Sequence, residues 1–231
     1  MQKKICGNFP KFCYKAFECE DYAKQFMDSG AFRMGCLRSY REIKDESRRD
    51  PTEGSGHTKE PGIVTVGLVS SNPTEKTIWI KEHGIQDHSS GYNNAIFCFC
   101  TFLSDVNLDY IKEKFGKYIV KITDPEKLAE DIHDYLINTG QSFLIEGCNV
   151  IYNKGQTQEK QITVDERLDM SFKQKPKSFI LECEFRIIAI KFGEPCKDEC
   201  KFLSGQFEQV DPVCSLIQVN LGKQLNYTQL L

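Results

Sequence analysis

Apolar and polar residues alternate over several short stretches of the chain, which is the pattern of half-buried β-strands. A helical pattern occurs at 18–29, where Gly30 stops it, and another runs from the N-cap residue Asp124 to about Asn138. The clearest strand is a nearly continuous apolar run at 179–192. Further strands are predicted at 11–17, 31–36, 63–69, 77–82, 95–102, 118–122, 148–152 and 210–222, with short helices at 37–50 and 165–171.

The order of these elements favours an α+β fold, because strands outnumber helices and do not alternate regularly with them. We expect a single domain over 1–231, with a mixed, mainly antiparallel β-sheet core and a few flanking helices. The segment 52–61, Thr-Glu-Gly-Ser-Gly-His-Thr-Lys-Glu-Pro, is rich in turn residues, so the sequence predicts a mobile loop near 50–62. No run of about 18 apolar residues occurs, so no membrane span is expected.

The amino-acid composition limits the kinds of binding partner that we expect. The net charge of -3 argues against bulk electrostatic binding to nucleic acid, although a local basic patch is compatible with it. The 11 cysteines are scattered without any C-x-x-C pair, and no apolar leader opens the chain. We therefore expect a reduced, cytoplasmic protein with free thiols.

Familiar catalytic and metal motifs are absent from the sequence. It contains no phosphate-binding P-loop, no dinucleotide-binding glycine motif, no H-E-x-x-H and no G-x-S-x-G. Cys196-x-x-x-Cys200 and His83-x-x-x-x-His88 are the nearest approaches to metal-ligand spacing. Because neither pair has the further ligands of a known motif, no metal site is predicted.

Five arginines lie within 17 residues, with a tyrosine among them. Guanidinium groups bind phosphates in pairs of hydrogen bonds, and an aromatic ring can stack on a base. Arg33, on a predicted short strand, would need a partner if it faced inward. The alternative is a solvated helix in which arginines pair with acidic residues at i,i+4 spacing. The candidate cofactor-binding residues are Arg33, Tyr40, Arg41 and Arg48.

The second candidate site is Leu181-Glu-Cys-Glu-Phe-Arg186, in the long apolar run. Strand alternation places Glu182, Glu184 and Arg186 on one face, and Cys183 with Phe185 on the other. Two carboxylates and a guanidinium are costly to bury without purpose, so one glutamate could stabilise positive charge on a sugar or act as a base. The alternative is the solvent-facing side of an edge strand, with a cross-strand ion pair.

These motifs together resemble a group of poorly characterised prokaryotic and phage proteins. The shared layout is an early Tyr-Lys, a helix ending in Gly, Phe-Arg-x-Gly-x-Leu-x-x-Tyr-Arg, Arg-x-Asp-x-x-Glu-Gly and a late Glu-x-Glu-x-Arg. The chain lacks the Phe-Asn-Asp-Pro-Phe motif frequent in that group. The layout is also similar to ADP-ribosyltransferase-like folds. That resemblance implies Arg33 as the early cationic residue, Glu184 with Glu182 as the catalytic carboxylates, and Thr101 or Ser104 in place of the missing middle serine motif.

The resemblance implies an NAD-consuming enzyme, an ADP-ribosyltransferase or NAD glycohydrolase, acting as a toxin, defence or phage counter-defence protein. Arg33 and Arg41 would hold the pyrophosphate and Tyr40 would stack on a ring of the cofactor. One alternative is a non-catalytic module that binds a nucleotide, a phosphorylated small molecule or a protein partner. Another is a metal-dependent nuclease that uses Asp45, Asp50, Glu53 and Glu184.

Overall fold

The computed structural model describes residues 5–41, 55–59, 81–82, 85–89, 96–140, 142–154, 172–192 and 216–231. Within these residues, a nine-stranded mixed sheet curls into a half-barrel, and a few helices pack against it. The α+β class predicted from the order of elements is therefore confirmed.

The described strands fall into one large sheet and two small ones. They are β1 (Ile5–Gly7), β2 (Cys13–Phe17), β3 (Ala31–Cys36), β4 (Ser55–Lys59), β5 (Lys81–Glu82), β6 (Ile85–Ser89), β7 (Ile96–Phe102), β8 (Tyr118–Ile122), β9 (Ser142–Asn149), β10 (Ile151–Lys154), β11 (Gln174–Pro176), β12 (Glu184–Phe192), β13 (Leu216–Asn220) and β14 (Thr228–Leu230). The helices are α1 (Glu20–Ser29), α2 (Leu37–Arg41), α3 (Leu108–Phe115), α4 (Pro125–Asn138) and a 3-10 helix, Lys177–Glu182.

The large sheet runs in the order β1-β9-β12-β7-β2-β8-β14, and β3 pairs with both β7 and β13. Only the β1–β9 pairing among the described strands of this sheet is parallel. Strand β12 lies between β9 and β7, so Arg186 faces Cys148 on one neighbour and Cys100 on the other. The strand formed by the long apolar run of the sequence is thus a central strand.

The two faces of the sheet bury different side chains. Phe97 and Phe99 of β7 and Phe185 of β12 pack in the main core with α1 and α4, on what we call the helix face. Phe26 of α1 stacks on Phe99 with ring centroids 5.7 Å apart. The alternate residues of the same strands point to the opposite face, which we call the cavity face, where a smaller core includes Cys98, Cys148, Ile188, Leu37 and Phe172.

Helix ends follow the signals in the sequence. Gly30 closes α1 in the left-handed conformation, with φ of 64°, and its N–H donates to carbonyls of the last turn. Asp124 caps α4 by accepting from the Lys127 N–H, and Pro125 occupies the first turn. The helices predicted at 18–29 and from Asp124 to about Asn138 are therefore confirmed. Asn107 caps α3 in the same way, in a helix that the sequence did not predict.

Two predictions of local structure are wrong. Residues 55–59 were expected in a loop but form β4, which pairs with β6 through backbone hydrogen bonds that need no apolar side chains. The run at 179–192 is a strand only from Glu184 onward, because 177–182 form the 3-10 helix. The predicted elements at 63–69 and 165–171 lie outside the described residues, as do the greater part of 77–82 and of 37–50.

A buried carboxylate joins α4 to the late segment of the chain. Asp131 accepts a hydrogen bond from the Tyr227 hydroxyl at 2.7 Å and lies 2.8 Å from the Lys223 ammonium and 3.2 Å from that of Lys127. Burial alone would raise the pKa of Asp131, but these contacts outweigh it and lower that pKa. Among the described helices, none is long and apolar enough to cross a membrane.

We expect Asp131→Asn to lower the free energy of unfolding by about 1–3 kcal/mol, because a charged acceptor of several hydrogen bonds is lost. Asp134→Asn on the same helix is the matched control, since Asp134 is exposed, and its change should stay within about 0.5 kcal/mol. Urea unfolding of both variants measures the difference. Equal effects would contradict the assigned role of Asp131.

Candidate functional site

A cavity of about 190 Å³ opens on the cavity face of the sheet. Its lining comes from β2, α2, β7, α3, β11, the 3-10 helix and β12, and so from parts of the chain far apart in sequence. We call it the charged cavity. Its lining residues are Lys15, Ala16, Tyr40, Cys100, Phe102, Phe115, Lys175, Glu182, Glu184 and Arg186.

Two carboxylates in the charged cavity share one ammonium group. The Lys175 Nζ lies 2.7 Å from the Oε2 of Glu182 and 2.8 Å from the Oε2 of Glu184. Both carboxylate side chains are nearly inaccessible to solvent, at 2% and 3% exposure. Lys175 therefore holds the two acidic groups next to each other.

Arg186 holds the second oxygen of Glu184. Its Nε donates to the Oε1 of Glu184 at 2.9 Å, and its Nη1 donates to the Phe172 carbonyl at 2.7 Å. The guanidinium is 2% exposed. Because Lys175 contacts the other oxygen, both oxygens of the Glu184 carboxylate are bound by cations.

Lys114 from α3 extends the network on the side of Glu182. Its Nζ donates to the Oε1 of Glu182 at 2.8 Å and lies 5.2 Å from the ring centre of Phe179. The Lys175 Nζ lies 5.0 Å from the same ring. Two ammonium groups thus share one carboxylate and one aromatic ring, and both contacts favour their charged forms.

Tyr40 lies against β3, where the absence of a side chain at Gly35 makes room for its ring. A Cβ at Gly35 would come within 3.1 Å of the Tyr40 ring and 3.0 Å of the Ser39 hydroxyl. The Tyr40 hydroxyl donates to the Cys98 carbonyl at 3.2 Å and accepts from the Cys100 thiol at 3.5 Å. The ring is thereby fixed between β3 and β7.

Lys15 of β2 is also among the residues that line the charged cavity. Its Nζ donates to the Cys100 carbonyl at 2.8 Å and lies 4.8 Å from the ring centre of Phe99. Ala16, Phe102 and Phe115 form an apolar wall, with the two phenyl rings 5.0 Å apart. The charged cavity is therefore polar on one side and apolar on the other.

The protonation states follow from these contacts. Burial alone would raise the pKa of Glu184, but Arg186 and Lys175 outweigh it and hold that pKa well below its ordinary value of 4.5. Burial raises the pKa of Cys100 to about 12, helped by the charge of Glu184. Burial also raises the pKa of Tyr40 well above its usual range. At neutral pH, Glu184 is an anion while the thiol and the phenol are neutral.

The structure brings together some of the residues predicted from sequence. Glu182, Glu184 and Tyr40 line the charged cavity. Because β12 is central and both glutamates are buried, the edge-strand alternative is wrong. Arg33 is exposed on β3 and is not among the residues that line the cavity. The Arg41 side chain and all of Arg48 lie outside the described residues.

The two stand-ins for the middle motif lie elsewhere. The Thr101 hydroxyl is buried and donates to the Phe185 carbonyl at 2.9 Å, which joins two strands of the sheet. Ser104 is exposed after the end of β7. Neither is among the residues that line the charged cavity.

Sequence reasoning identified Arg186 but did not assign the lysines of the site. Lys15 belongs to the early Tyr-Lys pair, which was noted only as part of a resemblance. Lys114 is in the unpredicted helix α3, and Lys175 precedes the long apolar run. Tyr152 was also missed, and its hydroxyl accepts the Glu184 backbone N–H at 2.7 Å. A search for basic residues just before the Glu-x-Glu strand would have found Lys175.

No protein family, curated protein or solved structure matches this chain. The function of the site is therefore argued from its geometry. Burial of four charged side chains in one small region is expensive unless each is paired. Such clusters in a cavity are typical of functional sites. The four are Lys175, Glu182, Glu184 and Arg186, and the half-buried Lys114 pairs with Glu182 beside them.

We expect Glu184→Gln to lower the free energy of unfolding by about 3–5 kcal/mol at pH 7, because two buried cations lose their shared anion. Urea unfolding checks this value. Glu113→Gln, at an exposed position of α3, is the control and should change stability by no more than about 0.5 kcal/mol. A loss no larger than that of the control would show that the ion network contributes little.

The Glu184 carboxylate also makes the free energy of unfolding depend on pH. Since the pKa of Glu184 is lower in the folded chain than its ordinary value of 4.5, the folded state binds fewer protons there. Its contribution is complete above that value and is lost as pH falls below it. We expect the slope of unfolding free energy against pH, measured from pH 5 downward, to be smaller in Glu184→Gln than in the wild type.

Proposed function

We propose that the protein binds a phosphate-bearing nucleotide at the charged cavity, with NAD as the first candidate. The supporting observation is the convergence of Lys15, Lys175 and Arg186 with Tyr40 on one cavity from four separate elements. Ammonium and guanidinium groups form strong, charge-assisted hydrogen bonds to phosphate oxygens. The apolar wall beside them suits the flat face of a sugar or base.

The size of the cavity limits how much of the nucleotide enters it. The charged cavity has a volume of about 190 Å³. Pockets that enclose a whole drug-sized ligand are larger, roughly 300–1,000 Å³. The charged cavity therefore accepts one group of the ligand, a phosphate with part of its sugar or a single ring, and the rest of the nucleotide lies outside it.

The geometry favours binding over cleavage. A carboxylate that stabilises a sugar cation must direct its negative charge at the sugar. Both oxygens of Glu184 are instead held by Lys175 and Arg186, at 2.8 and 2.9 Å. Glu184 in this arrangement orients the two cations, and the cations are the groups that a phosphate would contact.

We expect Lys15→Gln to weaken NAD binding by about tenfold or more, because one charge-assisted contact to a phosphate is worth roughly 1.5–3 kcal/mol. Isothermal calorimetry with NAD, ATP and inorganic pyrophosphate measures the affinities. Lys15 is chosen because it lies outside the Lys175–Glu184–Arg186 network, so its loss leaves those buried pairs intact.

The control is Lys24→Gln, which removes an exposed lysine from α1 without touching the cavity. It should leave all three affinities unchanged. Equal weakening by both variants would indicate a diffuse charge effect. If the wild-type protein binds none of the three compounds, the proposal that the cavity takes nucleotides is wrong.

A second candidate function is NAD cleavage, as the resemblance to ADP-ribosyltransferase-like proteins implies. One observation favours it: the charged cavity holds Glu182, an ionised Glu184 and Tyr40 together. In that reaction the bond from the ribose carbon to the nicotinamide nitrogen breaks, and its electron pair leaves with nicotinamide. A nearby anion stabilises the cationic sugar until water or an acceptor adds.

We expect nicotinamide release from NAD, if cleavage occurs, to fall by at least about a hundredfold in Glu184→Gln, as for the loss of a group that stabilises transition-state charge. Glu184→Gln must be shown to be folded and to bind NAD before its rate is interpreted. The assay uses water alone and then added protein and nucleic acid as acceptors. No release by the wild type under any of these conditions would rule out cleavage and leave binding as the function.

The metal-dependent nuclease has the least support. Asp45, Asp50 and Glu53 lie outside the described residues. Glu184 is held by two cations, which repel a divalent metal ion. Within the described part of the chain, no three His, Cys, Asp or Glu residues are grouped so that they could hold a metal.

A further inference from the structure

Cys183 has an unusual backbone conformation between the two glutamates of the site. Its φ and ψ are 44° and 52°, in the left-handed region. It is the one residue other than glycine with a positive φ in the described part of the chain. This region is sterically costly for a residue with a Cβ, and such outliers concentrate at functional sites.

Several hydrogen bonds hold the backbone on either side of this conformation. The Cys183 N–H donates to the Ile180 carbonyl at 3.3 Å, and its own carbonyl accepts from the Leu103 N–H at 2.7 Å. At the next residue, the Glu184 carbonyl accepts from the Val150 N–H at 3.0 Å, and its N–H donates to the Tyr152 hydroxyl. The surroundings thus impose the strained conformation.

The left-handed residue joins two different elements at the site. Glu182 is the last residue of the 3-10 helix, and Glu184 is the first residue of β12. The chain changes direction at Cys183 between the two. Across this junction, a helical side chain and a strand side chain contact the same Lys175 Nζ, at 2.7 and 2.8 Å.

The thiol of Cys183 takes no part in the network. It is half-buried, donates weakly to the Ile180 carbonyl at 3.5 Å and packs beside the cluster of Phe102 and Val106. Burial raises its pKa, so it is neutral at neutral pH. What the position supplies to the site is its backbone conformation.

We propose that Cys183 is a positioning residue: its left-handed backbone aims Glu182 and Glu184 at one ammonium and so shapes the ligand-binding side of the charged cavity. This rests on the proposed function only where ligand affinity is concerned. The assembly of the ion network can be measured without any ligand.

Four substitutions separate the backbone from the thiol. Cys183→Gly and Cys183→Asn tolerate a positive φ, Cys183→Ala removes the thiol but keeps the Cβ, and Cys183→Val opposes the left-handed region because it is β-branched. Cys19→Val is the matched control. Cys19 is likewise half-buried, but its backbone is extended, with φ of -130°, where valine is readily accepted.

The first measurement is the free energy of unfolding from pH 7 to pH 2.5, without ligand. Groups around Glu184 that carry charge or titrate are Arg186 on β12, Lys175 on β11, Glu182 on the 3-10 helix, Cys100 on β7, Tyr40 on α2 and Tyr152 on β10. We expect the glycine, asparagine, alanine and Cys19→Val variants to keep the acid-induced loss of the wild type. Cys183→Val should lose most of that pH dependence, whereas a merely structural defect would shift stability equally at every pH.

The second measurement is calorimetric affinity for NAD and pyrophosphate. The glycine and asparagine variants should bind within about twofold of the wild type. Cys183→Val should bind at least about tenfold more weakly, the factor that corresponds to 1.4 kcal/mol.

Two results overturn the proposal. One is a normal pH dependence of stability in Cys183→Val, and the other is a loss of pH dependence or affinity in Cys183→Ala as large as in Cys183→Val. If Cys183→Val does not fold, a loss of pH dependence in Cys183→Gly overturns it and its retention supports it. If the wild type binds neither compound, the proposed function fails, and the pH series still decides the role of Cys183.

Discussion

The contact of one lysine with two buried glutamates is the constraint on which the rest of the site depends. Ions removed from water cost several kcal/mol each, so the buried side chains of Glu182, at the end of the 3-10 helix, and Glu184, at the start of β12, are tolerated only if cations contact them. Lys175 contacts both carboxylates. Arg186 contacts the other oxygen of Glu184, and Lys114 contacts the other oxygen of Glu182. Strand β11, the 3-10 helix and α3 must therefore all take fixed positions relative to β12. The position of each element is tied to the charge balance of the site.

The fold could be read from the sequence where local rules decide the structure. Gly30 ends α1 because a left-handed backbone suits glycine, and Asp124 with Pro125 starts α4 because a cap and a fixed φ favour a helix there. Strand β8 coincides with the apolar segment 118–122. Helix α3 was missed because the segment from Leu108 to Phe115 is short, with eight residues and Ile111 as its one fully buried position.

Part of the site could be predicted from the sequence, and there is a physical reason why the rest could not. Alternation shows that Glu184 and Arg186 share a face, but it does not show whether a strand is central or at an edge, and that difference decides whether the charges face water or the interior. The apolar pattern also predicted that the strand covers residues 179–182. In the fold, hydrogen bonds with residues 103 and 150 impose a turn beside Cys183 instead. The lysines could not be paired with the glutamates in advance, because such pairing depends on which elements become neighbours in the fold. Arg33 occupies a position of the predicted motif, but its side chain does not line the cavity.

The order of strands in the large sheet has a consequence for how the molecule assembles. Strand β1 pairs with β9, and β14 pairs with β8, and the hydrogen bonds at these places span 139 and 104 residues of chain. Pairings of such long range are slow, because the entropy of closing the intervening chain is lost before the contacts form. During synthesis, β8 can pair with β2, but its other edge stays open until β14 has left the ribosome. A chain with this open strand edge is prone to aggregate. Expression at low temperature or with a chaperone should therefore reduce aggregation.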